Sequence, residues 1–479
     1  MKKIVAIVLA AGEGTRMKSE KAKVLHQVSG VPMICHVVNT LLELKLDKIY
    51  VVIGNHGEEV TKAISDKNLD FIWQKEQLGT GHAVSQVRDK LKNFDGIVLV
   101  LCGDVPLIRS KTLKKLMDFH MTSNSSSTIL TFYPENSSGY GRILRNNNKN
   151  VIGIIEEIDA NKEQLKIEEA NSGTYCFNWK KLSQALELLN PENVKRELYL
   201  TDIVKIFSSK GEKISAINVE DWNEVIGINN REELASANYE MNKRILKRWM
   251  NSGVTIMDPN STYIHNQVNI ENDTVIYPFT FLEGSTIIGK NCEIGPSTKL
   301  VNSIVEDNSK ITYSIVFDSK IKTGTLVGPF SHIRPDSEVL ENAKVGSFVE
   351  IKKSIVGKGS KVPHLSYIGD AEIGDRVNIG AGTITVNYDG YKKHKTKIED
   401  DVHIGSDSML VAPITIGKGA VTGAGSVLTK NVPPDSLALE RGEQVIKEGW
   451  AKRRRELEKK RKLKKKMPKV RREVNFERS

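Results

Sequence analysis

Apolar runs alternate with amphipathic stretches through the first half of the chain. Runs of the length of buried strands occupy residues 4–10, 49–53, 97–102 and 128–132, and stretches with helical periodicity, such as residues 31–44, lie between them. Strand and helix patterns in alternation predict a parallel α/β sheet. Because ligands bind at the carboxyl ends of the strands in such sheets, the segments after the first and third runs are candidate sites.

The first apolar run also permits a second interpretation. Met1-Lys2-Lys3 before an apolar stretch resembles the start of a short signal peptide. Residues 12–16, however, carry charges where a cleavage site has small residues. The pattern therefore favours a buried strand that leads into a glycine loop.

One helix is predicted at residues 230–252, between two different architectures. Asn229 or Asn230 can cap its start, and Ser252-Gly253 can end it. Its apolar residues fall at helical spacing: Leu234, Ala237, Met241, Ile245 and Trp249.

After this helix the apolar period becomes six residues. The aliphatic positions form three series: Ile270, Ile276, Leu282, Ile288, Ile294 and Leu300; Ile321, Val327, Ile333, Val339, Val345 and Ile351; and Ile404, Leu410 and Ile416. This repeat predicts a parallel β-helix whose core the aliphatic residues fill. It breaks at residues 304–316 and 384–401, and the second, polar and basic break is expected to be a functional loop.

Composition limits the class of protein. No apolar run approaches the roughly 18 residues of a membrane-spanning helix. The four cysteines contain no CxxC pair, which argues against a disulfide framework or a zinc ribbon and fits a reducing compartment. We therefore expect a cytoplasmic protein.

The net charge of +11 resides in the C-terminal tail. Residues 451–479 hold 15 lysines and arginines against four acidic residues, whereas the rest of the chain holds 55 of each sign. The body of the protein is therefore not a polycation for nucleic acid. For the tail, residues 450–479, a solvated extension is expected, and contact with RNA or an anionic membrane is the alternative.

A glycine loop, LAAGEGTR at residues 9–16, follows the first predicted strand. Its backbone N–H groups can hold phosphates, although it lacks the Gly-Lys-[Ser/Thr] ending of a Walker A loop. Arg16 and Lys23 would add two cations suited to a triphosphate. From these residues alone, a solvated basic turn stays equally open.

Several further motifs occur along the chain in a fixed order: KVLH at 23–26, EQLGTGHA at 76–83, GDVPL at 103–107, GYGRI at 139–143, NSG at 171–173, GINNR at 227–231, HLSYIG at 364–369 and NIGAGT at 378–383. With the glycine loop and the six-residue repeat, they resemble the family of bifunctional N-acetylglucosamine-1-phosphate uridyltransferases/glucosamine-1-phosphate acetyltransferases. The resemblance covers about residues 3–450.

The resemblance implies an architecture and an activity. It implies an α/β, Rossmann-like nucleotidyltransferase domain at residues 1–229, a linker helix at 230–252, a left-handed parallel β-helix of hexapeptide repeats at 253–449, and a basic tail at 450–479. It implies a homotrimer that transfers acetyl from acetyl-CoA to glucosamine-1-phosphate. The product, N-acetylglucosamine-1-phosphate, then reacts with UTP to give pyrophosphate and UDP-N-acetylglucosamine, a cell-wall precursor.

For the uridylyl step, the resemblance implies Mg²⁺ ligands and nucleotide contacts. Asp104 and Asn229 match the metal ligands, and Arg16 and Lys23 match the triphosphate contacts. Taken alone, Asp104 could equally be an aspartate that caps a turn. The other implied contacts are Leu9, Ala10, Ala11, Gly12, Gln74, Gly79, Thr80, Gly141, Glu156 and Asn171.

For the acetyl step, the resemblance implies a histidine base. An amine attacks a thioester only as the free base, so a proton acceptor must lie nearby. His364 matches that base, with Glu350 expected to orient it, although a lone histidine is often structural. The implied sugar-phosphate contacts are Arg334, Lys352, Tyr367 and Asn378. The implied acetyl-CoA contacts are Ala381, Asn387, Tyr388, Ser406, Ala424 and Arg441.

Four positions depart from the family pattern: Cys102, Ala22, Ile158 and Pro363, where Tyr, Pro, Lys and Gly are usual. Two alternatives also stay open. One is a single-activity nucleotidyltransferase with a regulatory β-helix, and the other is a non-catalytic assembly subunit. The presence of the implied metal ligands and of His364 argues against both.

Overall fold

The computed structural model describes residues 3–64 and 68–466. It shows an α/β sheet, one long connecting helix, a three-sided parallel β-helix and a C-terminal basic helix. The part of the predicted tail at residues 467–479 lies outside the described residues.

Nine strands of the first region form one sheet, in the order β11-β7-β10-β6-β1-β4-β5, with β8 and β9 attached through β10. The strands of this region are β1 Lys3–Ala10, β2 Gln27–Val28, β3 Val31–Pro32, β4 Lys48–Ile53, β5 Leu69–Trp73, β6 Gly96–Cys102, β7 Ser127–Phe132, β8 Arg142–Arg145, β9 Val151–Ile155, β10 Ala170–Asn178 and β11 Ile214–Asn218. Strands β5, β4, β1 and β6 are parallel, while β10 is antiparallel to β6 and β7. The short hairpin β2-β3 lies outside the sheet.

Helices cover both faces of this sheet. They are α1 Met33–Glu43, α2 Gly57–Ala63, α3 Thr80–Ser85, α4 Ser110–Ser123, α5 Trp179–Leu186 and α6 Asp202–Ser209. Two hydrophobic clusters, one containing Val8 and Leu99 and the other Ile7 and Val100, follow the alternation of side chains along β1 and β6. Burial on both faces explains why these strands are continuous apolar runs. The alternating pattern therefore predicted the α/β sheet correctly.

Helix α7, Arg231–Asn251, is the predicted connector. The side chain of Asn230 caps it by accepting a hydrogen bond from the Glu233 N–H at 2.9 Å. Its apolar side belongs to one hydrophobic cluster that joins both regions, because Met33 and Leu107 of the α/β region pack in the same cluster as the β-helix core.

The β-helix has three parallel sheets of 11, 10 and 9 strands, and successive strands along the chain pass from one sheet to the next. The first sheet contains Thr255–Ile256, Val275–Ile276, Glu293–Ile294, Lys310–Ile311, Leu326–Val327, Lys344–Ser347, Lys361–His364, Asn378–Ile379, His403–Ile404, Val421–Thr422 and Leu437–Ala438. The second contains Tyr263–Ile264, Phe281–Glu283, Lys299–Val301, Ile315–Phe317, His332–Ile333, Glu350–Lys352, Tyr367–Gly369, Ile384–Val386, Met409–Val411 and Val427–Leu428. The third contains Asn269–Ile270, Ile287–Ile288, Ile304–Val305, Lys320–Ile321, Glu338–Val339, Ile355–Val356, Ala371–Ile373, Thr396–Ile398 and Ile414–Ile416.

All fifteen aliphatic residues of the predicted repeat are buried in the β-helix core. The first break in the repeat is not a loop: the coils continue, and Val305, Ile311 and Val316 take the core positions at shorter spacing. The second break is a true excursion, because the chain leaves the second sheet after Val386 and enters the third sheet only at Thr396.

A basic helix, α8 Trp450–Lys466, follows the last coil. Its side chains from Trp450 to Leu463 are exposed, apart from the partly covered Glu458. In the part of the chain that the structure describes, no helix has both the length and the apolar character needed to cross a bilayer.

Candidate active sites

The first site lies where β1 and β6 end. These neighbouring strands pair Leu9 with Cys102, and the Gly103 N–H donates to the Leu9 oxygen at 2.9 Å. The glycine loop and the Gly103-Asp104 turn therefore meet at one edge, as the parallel sheet predicted. Gly14 has a φ of 65°, and a Cβ there would lie 2.5 Å from the Lys23 Cβ, so only glycine lets the loop pack against Lys23.

Two cations converge on the predicted metal ligands. Lys23 forms an ion pair with Asp104 and donates a hydrogen bond to the Asn229 Oδ1 at 2.8 Å. Arg16 donates to the same Asn229 oxygen at 2.9 Å. Asn229 immediately precedes the capping residue of α7, and its backbone N–H donates to the Glu233 carboxylate. The connector helix thus fixes the position of a residue in the site.

These residues line a cleft of about 970 Å³. Twelve residues implied by the sequence lie in its wall: Leu9, Ala10, Ala11, Gly12, Arg16, Lys23, Gln74, Gly79, Thr80, Asp104, Glu156 and Asn229.

Hydrogen-bond contacts of Gln74 and Thr80 stabilise one side of the cleft. Gln74 is buried, and its Nε2 contacts the Gly79 oxygen at 3.3 Å and the His82 Nδ1 at 3.0 Å. Thr80 accepts a hydrogen bond from the Leu200 N–H at 3.0 Å. These contacts hold the loop before α3 in a fixed conformation.

Glu156 lies at the other side of the cleft. It accepts a hydrogen bond from Thr201 at 3.0 Å, and burial raises the pKa of its carboxyl group. Gly141 and Asn171 do not line the cleft itself. They lie directly behind Glu156: the Asn171 N–H donates to the Gly141 oxygen at 2.9 Å, and a Cβ on Gly141 would lie 3.5 Å from the Glu156 Oε2.

Of the positions that depart from the family pattern, Cys102 and Ile158 line the cleft, and Ile158 lacks the positive charge that a lysine would bring. Burial and the nearby Asp104 raise the pKa of the Cys102 thiol to about 12, so the thiol is neutral and adds no negative charge beside a phosphate. Ala22 has a φ of −52°, a value that a proline would also adopt. Ile158 is 53% exposed and lines the cleft without the charge of a lysine.

Sequence reasoning missed one wall of the cleft, formed by Lys195, Glu197 and Tyr199. The Tyr199 hydroxyl is buried and has no hydrogen-bond partner among the described residues, and burial raises its pKa. The segment carries no glycine motif that would have marked it. Only the tertiary structure brings it opposite the glycine loop.

No group of three His, Cys, Asp or Glu side chains within residues 3–64 and 68–466 is placed to hold a metal ion on its own. Asp104 and Asn229 do present two oxygens to one point, since the Lys23 ammonium contacts both. A carboxylate and an amide oxygen are ligands that Mg²⁺ accepts when phosphates and water complete its coordination. The donor set therefore fits Mg²⁺.

The second site begins with a cationic cluster on the second sheet of the β-helix. Arg334 donates to Glu350 at 2.7 Å, so this carboxylate is engaged by Arg334 and not by the imidazole that it was expected to orient. Lys352 pairs with Asp370 at 3.2 Å. Lys393 reaches the same place from the inserted loop, where hydrogen-bond contact with Lys352 and its charge lower the pKa of Lys393. Three cations thus face two carboxylates.

Asp370 joins this cluster to the inserted loop. It is 9% exposed and accepts a hydrogen bond from Asn387 Nδ2 at 2.6 Å, and Asn387 also lies 3.4 Å from the Tyr367 hydroxyl. The sequence analysis did not select Asp370. Its position directly after Tyr367-Ile368-Gly369 gave no sign that the side chains of Lys352 and Asn387 contact it.

The inserted loop is closed by its own contacts. Tyr388 pairs with Lys393 in an isolated bridge, and its hydroxyl donates to the Gly390 oxygen at 2.6 Å. The carboxylate of Asp389 contacts His394 at 2.6 Å, and this contact with two backbone N–H groups lowers the pKa of Asp389 to about 2. The Tyr388 ring itself is 57% exposed.

His364 ends a strand at the corner between the first and second sheets. The strand pairs Lys361–Asn378 and Asn378–His403 set the register, and Ala381, Ser406 and Ala424 follow His364 along one corner. Backbone bonds continue along this corner, from Gly382 N to His364 O at 3.4 Å and from Asp407 N to Ala381 O at 2.7 Å. The residues that follow the imidazole along this corner are therefore small.

The remaining predicted residues lie farther apart. Asn378 lies in the first sheet, where its strand partner is Lys361. Among the described residues, its side chain forms no hydrogen bond with His364 or with the cluster around Lys352. Arg441 is exposed in the segment after the last coil. Pro363 lacks the N–H that Gly380, its counterpart in the next coil, donates to the Ile404 oxygen at 2.9 Å.

Comparison with known families agrees with both halves of the fold. Residues 5–251 match the family model described as nucleotidyl transferase, about half of the chain. Residues 395–430 match the model described as bacterial transferase hexapeptide, with six repeats.

Curated relatives match nearly the whole chain. The bifunctional protein GlmU of Heliobacterium modesticaldum is 48% identical over 450 residues, which are 94% of this chain and 98% of that protein. The GlmU of Geobacillus sp. strain WCH70 is 47% identical over 453 residues, or 95% of this chain and 98% of that protein. The GlmU of Listeria monocytogenes serotype 4a is 44% identical over 452 residues, or 94% and 99%. With this identity along both regions, the chain belongs to the GlmU family of bifunctional proteins.

Proposed function

We propose that this chain catalyses two consecutive reactions at two separate sites. The β-helix transfers acetyl from acetyl-CoA to the amine of glucosamine-1-phosphate. The cleft of the α/β region then joins N-acetylglucosamine-1-phosphate to the uridylyl group of UTP and releases pyrophosphate. The observation that carries the proposal is the convergence of Arg16 and Lys23 on Asp104 and Asn229 at the glycine loop. Its soluble substrates and scattered cysteines favour action in the cytoplasm.

Within the cleft, the sugar phosphate is the nucleophile and is already an anion, so the uridylyl step needs no general base. The main barrier is repulsion between anions, which cations and backbone N–H groups reduce. Arg16 and Lys23 would bind the triphosphate, with Lys23 exchanging its carboxylate partner for a phosphate. Mg²⁺ held by Asp104 and Asn229 would neutralise phosphate oxygens. Glu156 and Asn171 would orient the sugar, and Gln74 the uracil.

For the acetyl step, we assign proton removal to His364. The imidazole accepts a proton from the amine as the C–N bond forms, and the thiolate of coenzyme A leaves. Arg334, Lys352 and Lys393 supply the excess positive charge that holds the sugar phosphate. The residues of the corner beyond His364 are small, and we propose that the extended coenzyme binds along it. Ala381, Ser406 and Ala424 line it.

We further propose that the β-helix forms a homotrimer through an apolar ridge next to His364. Tyr313, Phe330, Phe348 and Leu365 stack along one corner, and they are 44%, 53%, 61% and 62% exposed. All four have a positive φ, which bulky residues rarely adopt and which Asn and Asp occupy at most other corners of the β-helix. A second copy covering the ridge explains why apolar residues stand there.

A coupled assay tests the order of the two reactions. The full chain is supplied with glucosamine-1-phosphate, UTP and Mg²⁺, with or without acetyl-CoA. Release of the coenzyme A thiol and of pyrophosphate is followed in parallel. We expect pyrophosphate only after thiol has appeared, and only with acetyl-CoA present. Equal pyrophosphate release without acetyl-CoA would contradict the proposed order.

A further inference from the structure

Helix α8 carries a high positive charge that has no role in either proposed reaction. Between Trp450 and Lys466 the sequence has 11 lysines and arginines and two acidic residues, a net charge of +9. At 1.5 Å per residue the helix is about 25 Å long. The chain before residue 451 has equal numbers of basic and acidic residues, so the net positive charge of the described residues lies in this helix.

Among the α8 side chains that the structure describes, Trp450 to Leu463, no ion pair with the folded body is present. Glu458 pairs with Arg461 at 3.1 Å within the helix, and Arg453 donates to the Glu448 oxygen just before it. Neither contact reaches the α/β sheet or the β-helix. Like charges four residues apart, such as Arg455 and Lys459, destabilise a helix on their own. A bound polyanion would remove that repulsion.

The distribution of side chains around α8 favours one class of polyanion. Its large apolar residues are Trp450, Leu457 and Leu463. At about 100° per residue, Leu463 lies roughly 140° from Trp450 and roughly 120° from Leu457, so the three form no continuous stripe. Helices that bind bilayers bury such a stripe in the interface. Basic residues surround α8 instead, which suits a phosphate backbone with one negative charge per roughly 1.7 Å of duplex.

We propose that α8 is a sequence-independent docking element for the phosphate backbone of nucleic acid. One side of the helix can face the backbone at a time, so about five or six of its basic side chains would pair with phosphates. In the described residues, no hydrogen bond or ion pair joins α8 to the cleft or to the corner beside His364, so we expect docking there to leave both sites accessible. Both reactions therefore continue while nucleic acid is bound.

Fluorescence anisotropy of the full chain with labelled RNA and duplex DNA of mixed sequence tests this proposal. For the duplex DNA, we expect the logarithm of the binding constant to fall with the logarithm of salt concentration with a slope of about −5 between about 50 and 200 mM NaCl. Affinity should be similar for unrelated sequences. Circular dichroism should show a gain in helix on binding.

Two variants with four charges removed separate α8 from general surface charge. The test variant replaces four residues of α8 with Gln: Lys459, Lys460, Arg461 and Lys462. The control variant replaces four exposed lysines of the α/β region with Gln: Lys90, Lys92, Lys111 and Lys114. We expect the test variant to lose at least about tenfold in affinity and to have a shallower salt slope. The control should change by less than about twofold.

Three results would overturn the proposal. They are the absence of binding by the full chain at low salt, equal affinity losses in the two variants, and binding to vesicles of anionic phosphatidylglycerol under salt conditions in which RNA and DNA do not bind. The last result would assign α8 to a membrane surface. Acetyl and uridylyl transfer are measured on the same samples, and normal rates in the test variant show that it is folded.

Discussion

His364 ends a strand of the first sheet, and Ala381, Ser406 and Ala424 follow it along one corner. Replacing His364 with alanine removes the group to which we assign proton removal in the acetyl step. General-base assistance is worth about 10²–10⁴-fold, so we expect kcat for acetyl transfer to fall by that factor. The residual rate should rise with pH, because the free amine then accumulates without help. Thiol release at a series of pH values measures both effects.

Uridylyl transfer by the same His364→Ala protein is the internal control and should stay normal. A variant with a normal kcat and a strongly raised KM would contradict the assignment. That outcome would make His364 a binding residue.

Among the described residues, Asp104 is the carboxylate that pairs with Lys23 in the cleft. Asp104→Asn keeps the size of the side chain but removes the negative charge that the proposed ligand pair Asp104 and Asn229 would offer to Mg²⁺. We expect uridylyl transfer to fall by roughly 10²–10³-fold, equivalent to about 3–4 kcal/mol. Pyrophosphate release as a function of Mg²⁺ concentration measures the change. Acetyl transfer should be unchanged, and a parallel loss of both activities in a folded protein would contradict two separate sites.

Among the secondary-structure elements, helix α7 packs against the α/β region as well as connecting it to the β-helix. Ile228 and Leu107 of the α/β region pack in the same cluster as Ala237 and Met241 of the helix. A fragment that ends at Asn229 exposes those side chains, and burying one such side chain is worth roughly 1.5–3 kcal/mol. We therefore expect it to be less stable than a fragment ending at Ser252 by about 3 kcal/mol or more. Urea unfolding of the two fragments measures the difference.

The same two fragments should also differ in nucleotide binding. Glu233 holds the backbone of Asn229 and disappears in the shorter fragment, so one predicted metal ligand becomes a free chain end. We expect the fragment ending at Ser252 to retain uridylyl transfer. Equal stability and equal activity of the two fragments would show that α7 only connects.

For the whole molecule, we predict how a substitution in the apolar ridge changes the oligomeric state. Phe348→Asp removes an exposed ring but places a residue that tolerates the observed φ of 58°, so the chain should still fold. We expect analytical ultracentrifugation to find single chains, together with loss of acetyl transfer and retention of uridylyl transfer. Asn308→Asp, at another corner with the same φ, is the matched control and should remain trimeric. A fully trimeric, active Phe348→Asp protein would contradict the proposed interface.

The sequence by itself determined the parts of this protein that depend on local periodicity. A six-residue aliphatic repeat fills the core of a β-helix because every coil needs one inward residue on each side. The first break shows the limit of that pattern. Val305, Ile311 and Val316 keep the coil intact at shorter spacing, and the neighbouring coils, not the local period, fix their pairing. The glycine loop was likewise predictable, because a strand followed by glycines marks a turn.

Only the tertiary structure decided which distant residues meet. Lys23 and Asn229 are 206 positions apart, and their contact depends on the cap of α7. His364 and Ser406 share a corner although a loop is inserted between their coils, because strand register restores the alignment. Asp370 and Tyr199 belong to no motif, since burial and neighbours from other segments give them their surroundings. Periodicity is a local property of the chain, whereas a site depends on long-range packing.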